Sequence, residues 1–300
     1  MTLRLLDPGL YTLVVDFGRP HTRSLGVPVG GAADRTALAL GNALVGNPPD
    51  APALEVTLAG PTLQAGCELA CVVYGAPFTL NSERQDLTPG TTFTLGGGDE
   101  LRIGGTPEGI RGYFCVRGGL RDRPVLGSYS SLEPLRAGAE LACTPGHIHR
   151  RFVRAGLIDD DPHGLRVVDG LQAGGFASSE FYPQRFTITP ASDRMGLRLD
   201  GEPLRHRGKK ELPSEPVCPG AVQVTHDGRC VILGVDGQTI GGYPKIAQVI
   251  RADLDKLGRL RPGEQVRFTR ISLDEAEALY RQKQAELAHW VLRLRTTLDG

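Results

Sequence analysis

Short apolar or alternating runs, each bounded by glycine or proline, recur along this chain and predict many short strands joined by turns. Phe186 and Ile188 against Thr187 and Thr189 give the alternation of a strand buried on one face. Strands are expected over residues 11–17, 53–58, 68–74, 91–95, 100–103, 112–117 and 166–168. Others are expected over 185–189, 221–225, 230–235 and 265–269. Helical spacing is rarer. Residues 34–44 carry Leu38, Leu40 and Leu44 behind a candidate N-cap, Asp34, and Gly46-Asn47-Pro48 stops the run. Short helices are expected over 245–250 and 254–257. The last segment, 273–298, opens on a capping box of Ser272 and Glu275. Its stripe of Ala276, Leu279, Tyr280, Leu287, Trp290 and Val291 is suited to docking on the body of the protein.

The pattern therefore predicts a mainly β, barrel-like architecture with a few short helices and a C-terminal helix. Forty glycines and 22 prolines, scattered rather than clumped, agree with it. The triple glycine 96–98 reads as a hairpin-type turn. The clearest break between subdomains is the acidic turn at 158–165.

Charge narrows the partners. Lysine plus arginine equal aspartate plus glutamate, 34 against 34, so no global field favours nucleic acid or an anionic membrane. No stretch approaches the roughly 20 apolar residues of a membrane span, and the N-terminal residues lack a signal-peptide pattern. Six cysteines, none in a CxxC pair and most inside apolar runs, read as buried reduced thiols of a cytoplasmic protein. Cysteine and histidine do not cluster at ligand spacing, and His147 with His149 lacks a third partner, so no metal is expected.

Three segments combine glycine with charge. In 238–247, Gly241 and Gly242 let backbone N–H groups approach a ligand, Gln238 and Tyr243 flank them, and Lys245 at a helix mouth supplies positive charge. In 26–35, small residues lead to Asp34, which caps the helix, and Arg35, which binds a carboxylate or pairs internally. In 192–201, Arg194 offers planar, bidentate recognition of a carboxylate or phosphate, or else forms a structural network with Asp193. No GxSxG elbow and no GxxxxGK[ST] loop occurs. The residues by themselves point to a largely β protein that binds an anion or a carboxylate.

These segments, with Asp16-Phe17-Gly18-Arg19-Pro20, Asn42 to Asn47, Gly118-Gly119-Leu120, Val125 to Ser128, Pro219 to Val224 and Leu260 to Glu264, resemble the KipA-type family. This family is also called allophanate hydrolase subunit 2 or carboxyltransferase subdomains A and B, and it includes the C component of 5-oxoprolinase. The signatures follow in order over roughly residues 7 to 275. The resemblance implies a β-rich N-terminal subdomain at 1–110, a cyclophilin-like β-barrel subdomain at 111–272, with an alternative boundary near 160, and the helix at 273–298. It implies an ATP-dependent 5-oxoprolinase, active only in a complex that opens 5-oxo-L-proline to L-glutamate. The ATP enters through the complex, whose other members are a KipI-type subunit (the B component of 5-oxoprolinase) and a LamB/YcsF-type subunit.

Two alternatives accompany this. One is the carboxyltransferase component of a biotin-dependent urea or amide carboxylase, the only case in which biotin is involved. The other is a non-catalytic KipA-like antagonist that binds a kinase inhibitor. For an amide or lactam substrate, Gln238 with the Gly241-Gly242 amides would face the developing oxyanion, and Lys245 and Arg194 would balance charge. Tyr243 and Arg35 would line the site, and Asp34 or Asp193 would act as base or orienting group. Two departures from the family pattern stand out. Tyr129 to Pro134 replaces an arginine and a longer glycine-rich loop, and Ala32-Ala33 stands where methionine is common.

Overall fold

A computed structural model describes residues 1–153, 161–207 and 212–296. The chain divides into two compact units, Met1–Arg19 with Asp34–Leu157 and Glu286–Gly300, and Pro20–Ala33 with Ile158–Ala285. The segment that begins at 111 is a central strand of the first unit. Asp159 and Asp160 of the expected acidic turn lie outside the described residues.

Among the described residues, ten strands build the first unit: β1 (Thr2–Asp7), β2 (Tyr11–Val15), β3 (Ala53–Thr57), β4 (Thr62–Ala65), β5 (Leu69–Gly75), β6 (Leu80–Asn81), β7 (Phe93–Leu95), β8 (Glu100–Ile103), β9 (Arg111–Val116) and β10 (Glu140–Ala142). They form two five-stranded sheets, ordered β10-β1-β4-β8-β6 and β2-β3-β9-β5-β7. Period-two positions supply the shared core: Leu3 and Leu5, Leu63 and Ala65, Leu101 and Ile103 from one sheet meet Leu54, Val56, Cys71, Val73, Phe114 and Val116 from the other. Full burial of each such leucine or valine stabilises by about 1.5–3 kcal/mol. The second sheet is covered on its other face too, so β9 is buried at every position. Helix α1 (Arg35–Leu44) provides that cover. It sits so close that a Cβ on Gly41 would stand 2.9 Å from Cys115 Sγ and 3.1 Å from Tyr74 Cβ. Glycine there lowers helix propensity and permits the packing. The triple glycine does form a turn, with Gly96 N–H on Asp99 Oδ2 at 2.7 Å, but β7 and β8 belong to different sheets, so it is a crossing and not a hairpin.

The second unit adds β11 (Gly164–Asp169), β12 (Phe186–Ile188), β13 (Gly196–Asp200), β14 (Glu215–Pro216), β15 (Ala221–Val224), β16 (Cys230–Leu233), β17 (Ile240–Gly241), β18 (Lys245–Val249) and β19 (Gln265–Arg270). Seven of them close into a barrel, β11-β18-β15-β16-β13-β12-β19, in which β11 and β19 pair in parallel and the other neighbours antiparallel. Leu165, Val167, Ile188, Leu199, Val222, Val224, Ile232 and Val249 point inward. One turn of helix, α2 (Ser178–Phe181), inserts Phe181 against Phe268 at a centroid distance of 4.7 Å. The remaining strands, β14 and β17, pair as a separate ribbon. After the barrel come α3 (Leu254–Leu257) and α4 (Leu273–Thr296). Ser272 N–H donates to Glu275 Oε2 at 2.8 Å and Glu275 N–H to Ser272 Oγ at 3.2 Å, which completes the capping box. Ala276 docks with Ile250 and Ala252.

The helix expected over 245–250 is instead strand β18. Its neighbours explain this: β15 and β11 pair with it on both edges, and Ile246, Ala247 and Val249 fill the barrel. β-Branched residues favour that pleated setting. Lys245 therefore stands on a barrel strand and not at a helix N-terminus.

Candidate functional site

The residues singled out in the sequence fall into separate settings. Asp34 and Arg35 belong to the first unit. Asp34 is the N-cap of α1 and accepts from Ala37 N–H at 2.9 Å. Its own N–H donates to Tyr113 Oη at 2.8 Å, and Tyr113 in turn donates to Glu55 Oε2 at 2.8 Å. Burial, with Glu55 and Asp34 nearby, pushes the Tyr113 phenol well above its ordinary value. Arg35 donates to Phe17 O at 2.6 Å and stacks over the Phe17 ring at 5.6 Å. Both residues thus have structural work at the start of α1.

The remaining candidates lie in the second unit. Asp193 shapes a turn: its Oδ1 accepts from Met195 N–H at 2.8 Å and from Gly196 N–H at 3.1 Å. Arg194 turns to Asp236, with Nε on Oδ2 at 2.6 Å and Nη2 on Oδ1 at 3.1 Å. The same Nη2 reaches Gly31 O at 2.7 Å, while Gly30 N–H donates to Val235 O at 3.0 Å. The 26–33 loop and the 192–196 turn are therefore fastened together through the segment that follows β16. Asp236, not Asp193, is the arginine's carboxylate partner.

Two residues beyond Asp236 the chain reaches Gln238, then β17 and the glycine pair. Gly241 pairs with Glu215 across the β14–β17 ribbon. The Glu215 carboxylate receives Lys245 Nζ and, at 2.9 Å, Gln172 Nε2. Gln172 also accepts the Lys245 N–H at 2.9 Å, so one carboxamide braces both members of the ion pair. The Lys245 side chain is 8% exposed and that of Glu215 31%. The hydrogen bond from Lys245 holds the Glu215 carboxyl below its ordinary value, aided by Gln172 and opposed by partial desolvation. Glu215 is accordingly a carboxylate at neutral pH. Tyr243 sets its ring edge-on to His226, 5.2 Å between centroids, and Gly242 leads into it.

The contacts run without a gap from Gly31 through Arg194 and Asp236, along Gln238 to Gly241, and through Glu215 to Lys245. Both cations are engaged by carboxylates of the same unit. Chemically this is a set of charge-balanced pairs beside an amide-lined ribbon, suited to a largely neutral polar substrate. Among the described residues, no group of three or more histidine, cysteine, aspartate or glutamate side chains is placed to hold a metal. No helix among them is long and apolar enough to cross a membrane.

Gln172, Glu215, Gln223 and Asp236 were not legible as site residues. Ser214-Glu215-Pro216 reads as an edge turn, and Asp236 directly follows the strand expected over 230–235. Gln223 does leave a signal: it is the only polar residue in the run Ala221–Val224.

Residues 25–270 match the family described as carboxyltransferase domain, subdomain A and B. The C component of the 5-oxoprolinase of Escherichia coli is 32% identical over 91% of this chain and 93% of its own length. That of Haemophilus influenzae is 34% identical over 94% and 96%. Among solved structures, TTHA0988 aligns at a TM-score of 0.82 and 36% identity over 89% of this chain and 56% of its own. The urea amidolyase of Kluyveromyces lactis aligns at 0.88 and 25% identity over 96% of this chain and 20% of its own. The chain thus spans about half of the first of these structures and a fifth of the second.

Proposed function

Because the chain belongs to the family of carboxyltransferase subdomains A and B, we propose that it is one subunit of an ATP-dependent 5-oxoprolinase that opens 5-oxo-L-proline to L-glutamate. What carries this reading is end-to-end similarity: the chain matches the C component of 5-oxoprolinase over more than nine-tenths of both lengths. Its partners are a KipI-type subunit and a LamB/YcsF-type subunit, and the assembly works in the cytoplasm, where ATP is available.

The site in the second unit suits a lactam. A five-membered amide is uncharged at the reacting carbonyl, and negative charge grows on its oxygen as the ring opens. Gln238 and the amide at Gly242 are the donors that would meet that charge, while the Gly241 N–H faces Glu215 within the ribbon. Lys245, braced by Glu215 and Gln172, places a positive charge beside them without a net excess. Arg194, tied to Asp236, fixes the segment that carries Gln238. ATP supplies the driving force for ring opening in the assembled enzyme. Lys245 and Arg194 are already held by carboxylates, so these two residues do not form a ready clamp for a triphosphate. Nucleotide binding is accordingly assigned to a partner subunit.

A second reading, carboxyl transfer to urea, is favoured by the fit to the urea amidolyase structure. The test is co-expression with the KipI-type and LamB/YcsF-type subunits, followed by an ATP-dependent assay with 5-oxo-L-proline and urea in separate arms. Glutamate release in the first arm alone supports the proposal. Product only from urea, in the presence of a biotin carboxylase, replaces it with the second reading.

A further inference from the structure

Gln223 is 2% exposed, yet its Nε2 has no hydrogen-bond partner among the described residues. A buried unpaired donor costs about 1–3 kcal/mol, so this side chain is retained against stability. Strand alternation sends its neighbours Val222 and Val224 into the barrel and Gln223 outward, toward the β14–β17 ribbon. There it meets a second carboxamide. A Cβ built on Gly241 would stand 2.8 Å from Gln223 Nε2 and 2.7 Å from Gln238 Nε2. Two amide donors thus close on the same face of Gly241, where a Cβ would force one of them to shift. Val217 Cγ1, 3.7 Å from the same point, closes it with an apolar wall. Lys245 is the register partner of Gln223 and borders the point with its ion pair.

We propose that Gln223 and Gln238 form a two-donor clamp over Gly241 that takes the carbonyl oxygen of a planar, uncharged amide. This rests on the lactam reading above and deepens it, since it names the atom bound and a residue that reading does not use. Two N–H groups aimed at one oxygen complement it better as negative charge develops, which is the condition for lowering a barrier and not only a KM. The clamp also accounts for Gly241, where any side chain would push the two carboxamides apart. It gives the buried Gln223 donor the partner it lacks.

Two measurements test this, one of them independent of turnover. In the full chain, the side-chain proton–nitrogen signals of Gln223 are identified by their loss in Gln223→Leu and followed during titration with pyrrolidinone, urea and, as a control, acetate. The clamp requires these signals to move with the two amides and not with acetate. In the assembled complex, Gln223→Leu should lower kcat/KM by about 10²–10³, the loss seen when an oxyanion donor is removed. Its melting temperature should be equal to or above that of the wild type, because an unpaired polar group has gone. Gln238→Leu, at an exposed position, should also lose activity without unfolding. Unmoved signals, full activity of Gln223→Leu, or a lowered melting temperature with the signals unmoved would each overturn the clamp. If the signals move but the wild-type complex releases no glutamate, the lactam reading fails and the clamp stands. If glutamate is released while the signals stay fixed, the reverse holds.

Discussion

Lys245 and Glu215 meet across the gap between barrel strand β18 and ribbon strand β14, and Gln172 bonds to both. The sequence offers the lysine as a lone cation at a helix mouth. The structure gives it a strand, a counter-ion and a brace, which turns a diffuse anion site into a fixed, nearly neutral pair. Such a pair positions a charge without attracting every anion in the cell.

Removal of the lysine head should therefore affect catalysis more than folding. Lys245→Met keeps the methylene packing, and the half-buried Glu215 retains Gln172 and solvent contact. Turnover of the complex should fall by about 10²–10³. A melting curve that stays within a few degrees of the wild type, read beside the assay, separates this from unfolding.

The pH dependence of the pair has a definite sign. Glu215 titrates below its ordinary value in the folded chain, so its contribution to stability is fully present above that ordinary value and is lost as pH falls through the lowered one. Glu215→Gln should show a constant stability deficit around neutral pH that shrinks on acidification. Paired urea melts of wild type and variant across the acid range measure it.

Part of this was readable in advance because the fold repeats simple rules. Alternation located Phe186–Ile188, Ala221–Val224 and Gln265–Arg270 within a residue or two, and Ser272 with Glu275 marked the start of α4. Strands β1, β4 and β13 were missed although Leu3 with Leu5, Leu63 with Ala65 and Leu197 with Leu199 alternate, because each run is short, and the two-residue β17 exists only through its pairing with β14. The site was less legible still. The partners of Arg194 and Lys245, Asp236 and Glu215, lie 42 and 30 residues away, and strand pairing, β13 with β16 and β14 with β17, brings them near. The shortened segment after Ser128 makes the same point: Ser128 and Ser130 hydroxyls both donate to Asp16 Oδ1 at 2.6 Å, a contact over more than a hundred residues.

Barrel integrity should depend on a buried fork. Arg166 Nη2 donates to Asp253 Oδ1 at 2.5 Å and Nε to Oδ2 at 3.0 Å, with the Asp253 side chain fully shielded. Loss of one partner of such a pair costs about 3–5 kcal/mol. Asp253→Ala should fall in that range by chemical denaturation, and the double variant Arg166→Met, Asp253→Leu should recover only part of it, because Asp253 also faces Lys256 Nζ at 3.5 Å and accepts the Arg166 N–H at 2.8 Å.

Helix α1 should resist any added bulk at Gly41. A β-branched side chain there meets Cys115 and Tyr74, and overpacking of this kind costs about 1–3 kcal/mol. Gly41→Val should lose that stability in urea melts, although valine and glycine differ little in helix propensity.

The most direct test of the central claim is glutamate release by the reconstituted complex, assayed with ATP and 5-oxo-L-proline and compared between wild type and Lys245→Met. ATP-dependent release by the wild type should drop by about two orders of magnitude or more in the folded variant. Equal turnover by the two, or no release from 5-oxo-L-proline by a properly assembled wild-type complex, would contradict it.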